Sequence, residues 1–207
     1  NTDTGQVFIQ EDWRYNWNLW PGVTAAWTHT QKAATHRRID RQVWGLWSNR
    51  IRLGVSGNSD IARRLMAGGA RVNFDVRWSL RPTAHWTVTV WKMPPSAGAT
   101  SLHRSFVQHQ SRRIELNTAD LLPRGAGNSA GASTANFLTA PHEYGHTIGP
   151  TGNNLGDEYG ALSTHLGDTH SMMNIGRDIR RRHMDQVVAA LNRMAPGTTF
   201  NANRLPL

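Results

Sequence analysis

The run Pro141-His142-Glu143-Tyr144-Gly145-His146-Thr147-Ile148-Gly149, followed by Gly156-Asp157-Glu158-Tyr159, constrains this chain more than any other stretch. Residues four apart share one face of a helix, so His142 and His146 project side by side and offer two imidazoles to one metal ion. Glu143 is carried about 100° round the helix, off the ligand axis and beside the place where a metal-bound water would sit. A catalytic zinc takes three protein ligands and keeps a fourth position for water, whose pKa it lowers to roughly 7. Glu143 is then placed as the base that takes the water's proton during attack on a carbonyl carbon and hands it to the leaving amine.

The spacing His-Glu-x-x-His is moderately specific. With ten histidines and four glutamates in 207 residues, it arises by chance in roughly one such chain per hundred. The surroundings must therefore decide. Gly149 stands three residues beyond His146, where a left-handed helix end would turn the chain back toward the metal. The next acids are Asp157 and Glu158, and either can supply the third ligand. Ser171-Met172-Met173-Asn174 then reads as a short methionine-bearing turn.

These features together resemble the metzincin clan of zinc endopeptidases, in which a methionine underlies the metal site. More narrowly, His142 to Gly149, Leu155 to Gly160, Ser171 to Gly176 and Arg180 to His183 resemble bacterial effector metallopeptidases found as C-terminal extensions of type VI secretion spike proteins, the VgrG class. The resemblance runs from about Pro141 to His183. It implies a zincin-like α+β fold, one catalytic Zn2+ and a protein or peptide substrate. It also implies a secreted toxin covalently linked to a spike as its carrier, delivered to the periplasm or cytoplasm of a target cell and countered by an immunity protein. One departure matters: the family's third ligand lies three residues after the glycine, and that position here is Gly152. The insertion at 150–154 pushes the ligand downstream; aligning Asp-Glu-Tyr with compact relatives favours Asp157, while a loop of changed length equally presents Glu158. Met173 is the better match for the methionine beneath the metal, Met172 the alternative. His183 matches the family's R-x-R-H stretch and would hydrogen-bond the oxyanion or a zinc ligand, against a purely structural role.

Composition narrows the remainder. A chain of 207 residues suits one domain, 1–207, with a sheet-containing upper lobe (1–132) and a lower lobe (133–207) holding the ligand helix, third-ligand loop, methionine turn and closing helix. Without cysteine there is neither a disulfide nor a thiolate metal site. No apolar run approaches the roughly 20 residues that span a bilayer. The chain carries no signal-like segment and reads as an excised piece of something longer. The formal net charge of +9 draws the surface toward polyanions, but the arginine groups lack the interleaved aromatics of a base-stacking surface. Specific nucleic-acid recognition is not expected.

Along the chain, residues 7–9 read as a short strand and residues 23–36 as a helix, continued or followed by another to about 48 on the spacing of Ile39, Val43 and Trp47. The early tryptophans read as core rather than as a carbohydrate platform. Ile51, Leu53 and Val55 alternate as a half-buried strand, and Ser59 or Asp60 caps a short helix to about 67. Residues 72–80 and 85–92 read as a hairpin joined at Arg81-Pro82-Thr83-Ala84, and 106–116 as a strand. Residues 93–98 and 125–131 are loops, the second a wall or flap of the cleft or a linker. The ligand helix spans about 135–149, or starts near Thr139 with Pro141 in its first turn. Met184, Val187, Val188, Leu191 and Met194 mark a C-terminal amphipathic helix. Tyr144 and Tyr159 each offer a phenol to the transition state, Tyr159 being better placed. His165 and His170 read as solvated loop residues, and Asp168 and Asp178 as turn and cap residues.

Overall fold

The computed structural model describes residues 1–95, 104–123, 137–149 and 156–203. Its frame is one long strand, β1 (Gln6–Leu19), far longer than the three residues expected there. Inward side chains Ile9, Glu11, Trp13, Tyr15 and Trp17 follow a period of two, which the wide spacing of the tryptophans disguises.

The chain continues with α1 (His29–Trp47), β2 (Ile51–Gly57), α2 (Asp60–Leu65), β3 (Ala70–Trp78) and β4 (Trp86–Lys92). It ends with β5 (Phe106–Gln108), β6 (Arg113–Asn117), α3 (Thr139–Ile148), α4 (Asp185–Met194) and β7 (Thr198–Asn201). Residues 20–28 are not helical; α1 starts later than expected because Thr28 caps it, its hydroxyl accepting from Gln31 N–H in a capping box. Ser59 caps α2 through its hydroxyl alone, which accepts from Ala62 N–H. α4 matches the expected amphipathic helix.

The seven strands form one mixed sheet in the order β5-β6-β4-β1-β3-β2-β7. β3 and β4 are not a hairpin. Both run parallel to β1, on opposite sides of it, β3 along Gln6 to Trp13 and β4 along Trp13 to Leu19. A parallel connection ordinarily needs a long return crossover. Here none is required, because β4 begins level with the end of β3 and the short link simply steps across β1. The strand expected over 106–116 is itself a hairpin, β5 antiparallel to β6, turning at Arg112 with φ +50°.

α1 closes the side of β3 that β2 leaves open. Ser48 Oγ accepts from Phe74 N–H and donates to Phe74 O, and Asp40 Oδ1 accepts from Val76 N–H, so an otherwise unpaired strand edge is satisfied by helix side chains. The core lies between the inward sheet face, α1 and α3. Trp47 packs on Phe74 and Tyr144, and Trp13 on Tyr144. Trp13 and Trp47 are fully buried, as expected of core, and Trp17, Trp27 and Trp78 pack half-buried against one another at its edge. Among the described residues no helix is long and apolar enough to cross a membrane. The loops expected at 125–131 and around the insertion at 150–154 lie outside the described residues, as do residues 96–98 of the loop expected at 93–98.

Candidate metal centre

α3 begins at Thr139, so Pro141 sits in its first turn, where a missing N–H costs no helical hydrogen bond. Its start is gripped by α1, since Trp47 Nε1 donates to Pro141 O at 2.9 Å. Its end at Gly149 is not left-handed as expected: φ is −123°. Glycine is needed there for room, because a Cβ would stand 2.7 Å from Gly145 O. Gly145, between the two histidines, is needed likewise. A Cβ on it would lie 2.9 Å from Trp47 Cζ2 and closer still to Met173 Sδ. Met173 is therefore packed directly beneath the helix at the level of the histidines, fully buried.

The histidine rings meet Asp157. His142 Nε2 lies 3.1 Å from Asp157 Oδ1, His146 Nε2 lies 3.1 Å from the same oxygen, and the two Nε2 atoms are 3.2 Å apart. Among the described residues this trio is the group able to hold a metal ion. Two atoms each about 2.0–2.1 Å from a tetrahedral zinc lie about 3.3 Å apart, so the spacing suits three ligands on one ion.

The proton inventory supports the same fit. His142 Nδ1 lies 2.8 Å from Met172 O, and a carbonyl only accepts, so Nδ1 carries a hydrogen; Nε2 donates to Asp157 only when the ring is protonated as well, and in the neutral ring it is the free ligand atom. Burial pushes the Asp157 carboxyl up, but hydrogen bonds to His142 and His146 outweigh it and hold the group well below the usual carboxylate range. Burial opposes charge on His142, yet Asp157 and Glu143 raise its pKa nonetheless. The cluster draws in positive charge, which a proton or a metal ion supplies.

Asp157 and Glu158, open alternatives in the sequence, separate here. Asp157 turns to the histidines, whereas Glu158 turns beneath the methionine turn and accepts from Arg182 Nε at 2.6 Å and Nη2 at 2.7 Å. Burial pushes Glu158 up, but Arg182, His183 and Ser171 outweigh it and bring it to about 2. Glu158 N–H donates to Met173 O at 2.8 Å, tying the ligand segment to that turn.

His183 lies in this second network, not in the cleft. It is fully buried, its Nδ1 accepts from Arg180 N–H at 3.1 Å, and Nε2 faces Ser171 Oγ at 3.1 Å and Glu158 Oε1 at 3.3 Å. The structural alternative weighed for it fits; contact with an oxyanion does not. Asp168 joins by pairing with Arg180 and Arg182. Tyr144 is likewise removed from any substrate, buried among Trp13, Trp47 and Phe74. His165 and His170 are exposed and stand outside the trio.

Glu143 lines a cleft with His146, Asp157, Tyr159, Arg104 and the backbone segment entering β5. Burial, the largest influence, pushes its carboxyl up to about 7, aided by Asp120 and Asp157 and opposed by His142 and Arg104. Tyr159 is 41% exposed, its ring lying nearly parallel to His142 with centroids 5.8 Å apart. Burial and Asp157 raise its phenol to about 12. Arg104 Nη2 stands 3.5 Å from Asp157 Oδ2. Sequence reasoning missed Arg104 and the β5 wall, which reach the cleft from far along the chain, and Asp120, fully buried and acting on Glu143 through its charge; none carries a local motif. Compared with protein-family models, with curated proteins and with solved structures, the chain matches none.

Proposed function

We propose that this protein is a zinc-dependent endopeptidase with a metzincin-like, zincin-type fold. The observation that carries the reading is the trio of acceptor atoms on His142, His146 and Asp157, mutually 3.1–3.2 Å apart, with Glu143 in the adjoining cleft wall. Zinc held by these three residues would supply a Lewis acid that polarises a carbonyl and acidifies water. Glu143, buried in the cleft wall beside the trio, is placed for proton transfer. It takes the proton of the attacking water and delivers it to the leaving amine nitrogen. Tyr159 keeps its phenolic hydrogen and donates it to the charge that develops on the carbonyl oxygen, with Arg104 beside it. β5, the edge of the sheet and a wall of the cleft, offers to an extended peptide the backbone side that pairs with no strand among the described residues.

The setting as a secreted effector, carried by a covalently attached secretion spike and neutralised by an immunity protein, follows from the sequence resemblance. A second reading is an amidase acting on cell-wall peptide cross-links, favoured by the net charge of +9. Zinc-loaded wild type and Glu143→Gln are to be incubated with denatured proteins and with purified peptidoglycan. The variant should keep its zinc and lose at least about 100-fold in cleavage. Undiminished cleavage by Glu143→Gln would leave an inert metal module, and cleavage of peptidoglycan alone would favour the amidase.

A further inference from the structure

A second concavity shares no residue with the metal cleft. It is lined by Asp3, Gly5, Arg52, Arg64, Gly69 and Arg71, among others, where the start of β1, the end of α2 and the β2–β3 ladder converge. Arg52 and Arg71 are direct partners in that antiparallel ladder, so their side chains leave the same face about 5 Å apart. Like charges directly opposed across a ladder are destabilising.

Little among the described residues offsets them. Arg64 Nη1 donates to Asp3 Oδ1 at 2.9 Å, which uses the acid that lines the concavity. Arg52 Nη1 donates to Gly68 O at 3.1 Å, but its Nε is buried without a hydrogen-bond partner among the described residues. Arg71 makes no side-chain hydrogen bond or ion pair among them. A Cβ at Gly68, which lines the concavity, would stand in open space.

We propose that this concavity binds a phosphate-bearing anion, with Arg52 and Arg71 as its two forks and Arg64 at the rim. A guanidinium presents paired N–H groups in the geometry of two phosphate oxygens, and two such forks converging on one hollow suit a group with several oxygens. A soluble phosphate ester and a lipid-borne phosphate present the same chemistry.

The probe is inorganic pyrophosphate, titrated calorimetrically into wild type, Arg71→Ala, Arg52→Ala, Arg71→Lys and the remote control Arg37→Ala/Arg38→Ala. Thermal melts without ligand show that each variant is folded. Wild type should bind one pyrophosphate per chain with an affinity that falls as salt rises. Arg71→Ala and Arg52→Ala should each weaken it at least about 10-fold, Arg71→Lys should weaken it less, and the control should match wild type. Sedimentation with phosphatidylglycerol vesicles then separates the sources: Arg71-dependent retention points to a lipid-borne phosphate, and no retention beside intact pyrophosphate binding points to a soluble one. Absence of saturable pyrophosphate binding, or binding that Arg71→Ala leaves unchanged, overturns the site.

Discussion

Replacing Gly145 by alanine should loosen the ligand helix from its floor, by an amount that follows from the packing around it. The new methyl would sit 2.9 Å from Trp47 Cζ2 and closer to Met173 Sδ, where ordinary contacts lie at about 3.5–4.0 Å. Trp47 cannot slide away without breaking its bond to Pro141 O, so Met173, fully buried, has to move. Overpacking of this kind costs about 1–3 kcal/mol, and alanine returns about 1 kcal/mol through its better helix propensity. Two fully buried side chains are met at once, so the cost should lie at about 2–3 kcal/mol and the net loss at about 1–2 kcal/mol, or a Tm lower by about 2–8 °C for a chain of 207 residues. Urea unfolding of metal-free protein measures it, and zinc affinity should fall in parallel because Met172 O orients His142. Shortening Met173 to alanine creates a cavity costing about 2–5 kcal/mol but vacates the space that the new methyl needs. The double variant should therefore be more stable than the two losses added together, by about 0.5–3 kcal/mol. Equal or greater stability of Gly145→Ala, or strict additivity with Met173→Ala, would refute the packing argument.

Three further outcomes follow from buried polar groups. Glu158 titrates at about 2 when folded against an ordinary 4.5, so its contribution, about 3 kcal/mol, is present above about pH 4.5 and lost as pH falls toward 2. Glu158→Gln should flatten that acid limb in urea midpoints measured against pH, and an unchanged slope would contradict the pairing with Arg182. Glu11, buried with Trp13 Nε1 and Thr147 Oγ1 on one carboxylate oxygen, has the opposite sign, with burial raising it to about 7. Its contribution is full below about pH 4.5 and lost by about 7, so Glu11→Gln should remove a decline of about 3 kcal/mol over that interval; a decline that persists in the variant counts against it. The buried Tyr144 hydroxyl finds no hydrogen-bond partner among the described residues, so Tyr144→Phe should be neutral or stabilising by up to about 1 kcal/mol, and a loss of more than that by thermal melting would show a hidden partner.

The parts of this fold legible in the sequence are those decided by neighbours. The alternation of Ile51, Leu53 and Val55, the Ser59 cap and the start of α3 near Thr139 all depend on residues a few positions apart. Strand pairing does not. Residues around Arg81 and Pro82 look like a hairpin turn, yet the strands they join lie on opposite sides of β1, a fact held in the register of β1 and invisible in the turn. β1 itself was hidden because a glutamate, Glu11, occupies an inward position that a strand pattern expects to be apolar. In the site, helical spacing alone pairs His142 with His146. The choice between Asp157 and Glu158 depends on which way the chain faces after the loop, and Arg182 with His183 takes the one that the histidines do not.

The most direct measurement is an anomalous-scattering map at the zinc edge from crystals grown with zinc. A single peak is expected about 2.0–2.2 Å from His142 Nε2, His146 Nε2 and an Asp157 carboxylate oxygen, with Glu158 still paired to Arg182. No peak at that place, or one coordinated by Glu158 or His183 instead, would contradict the account.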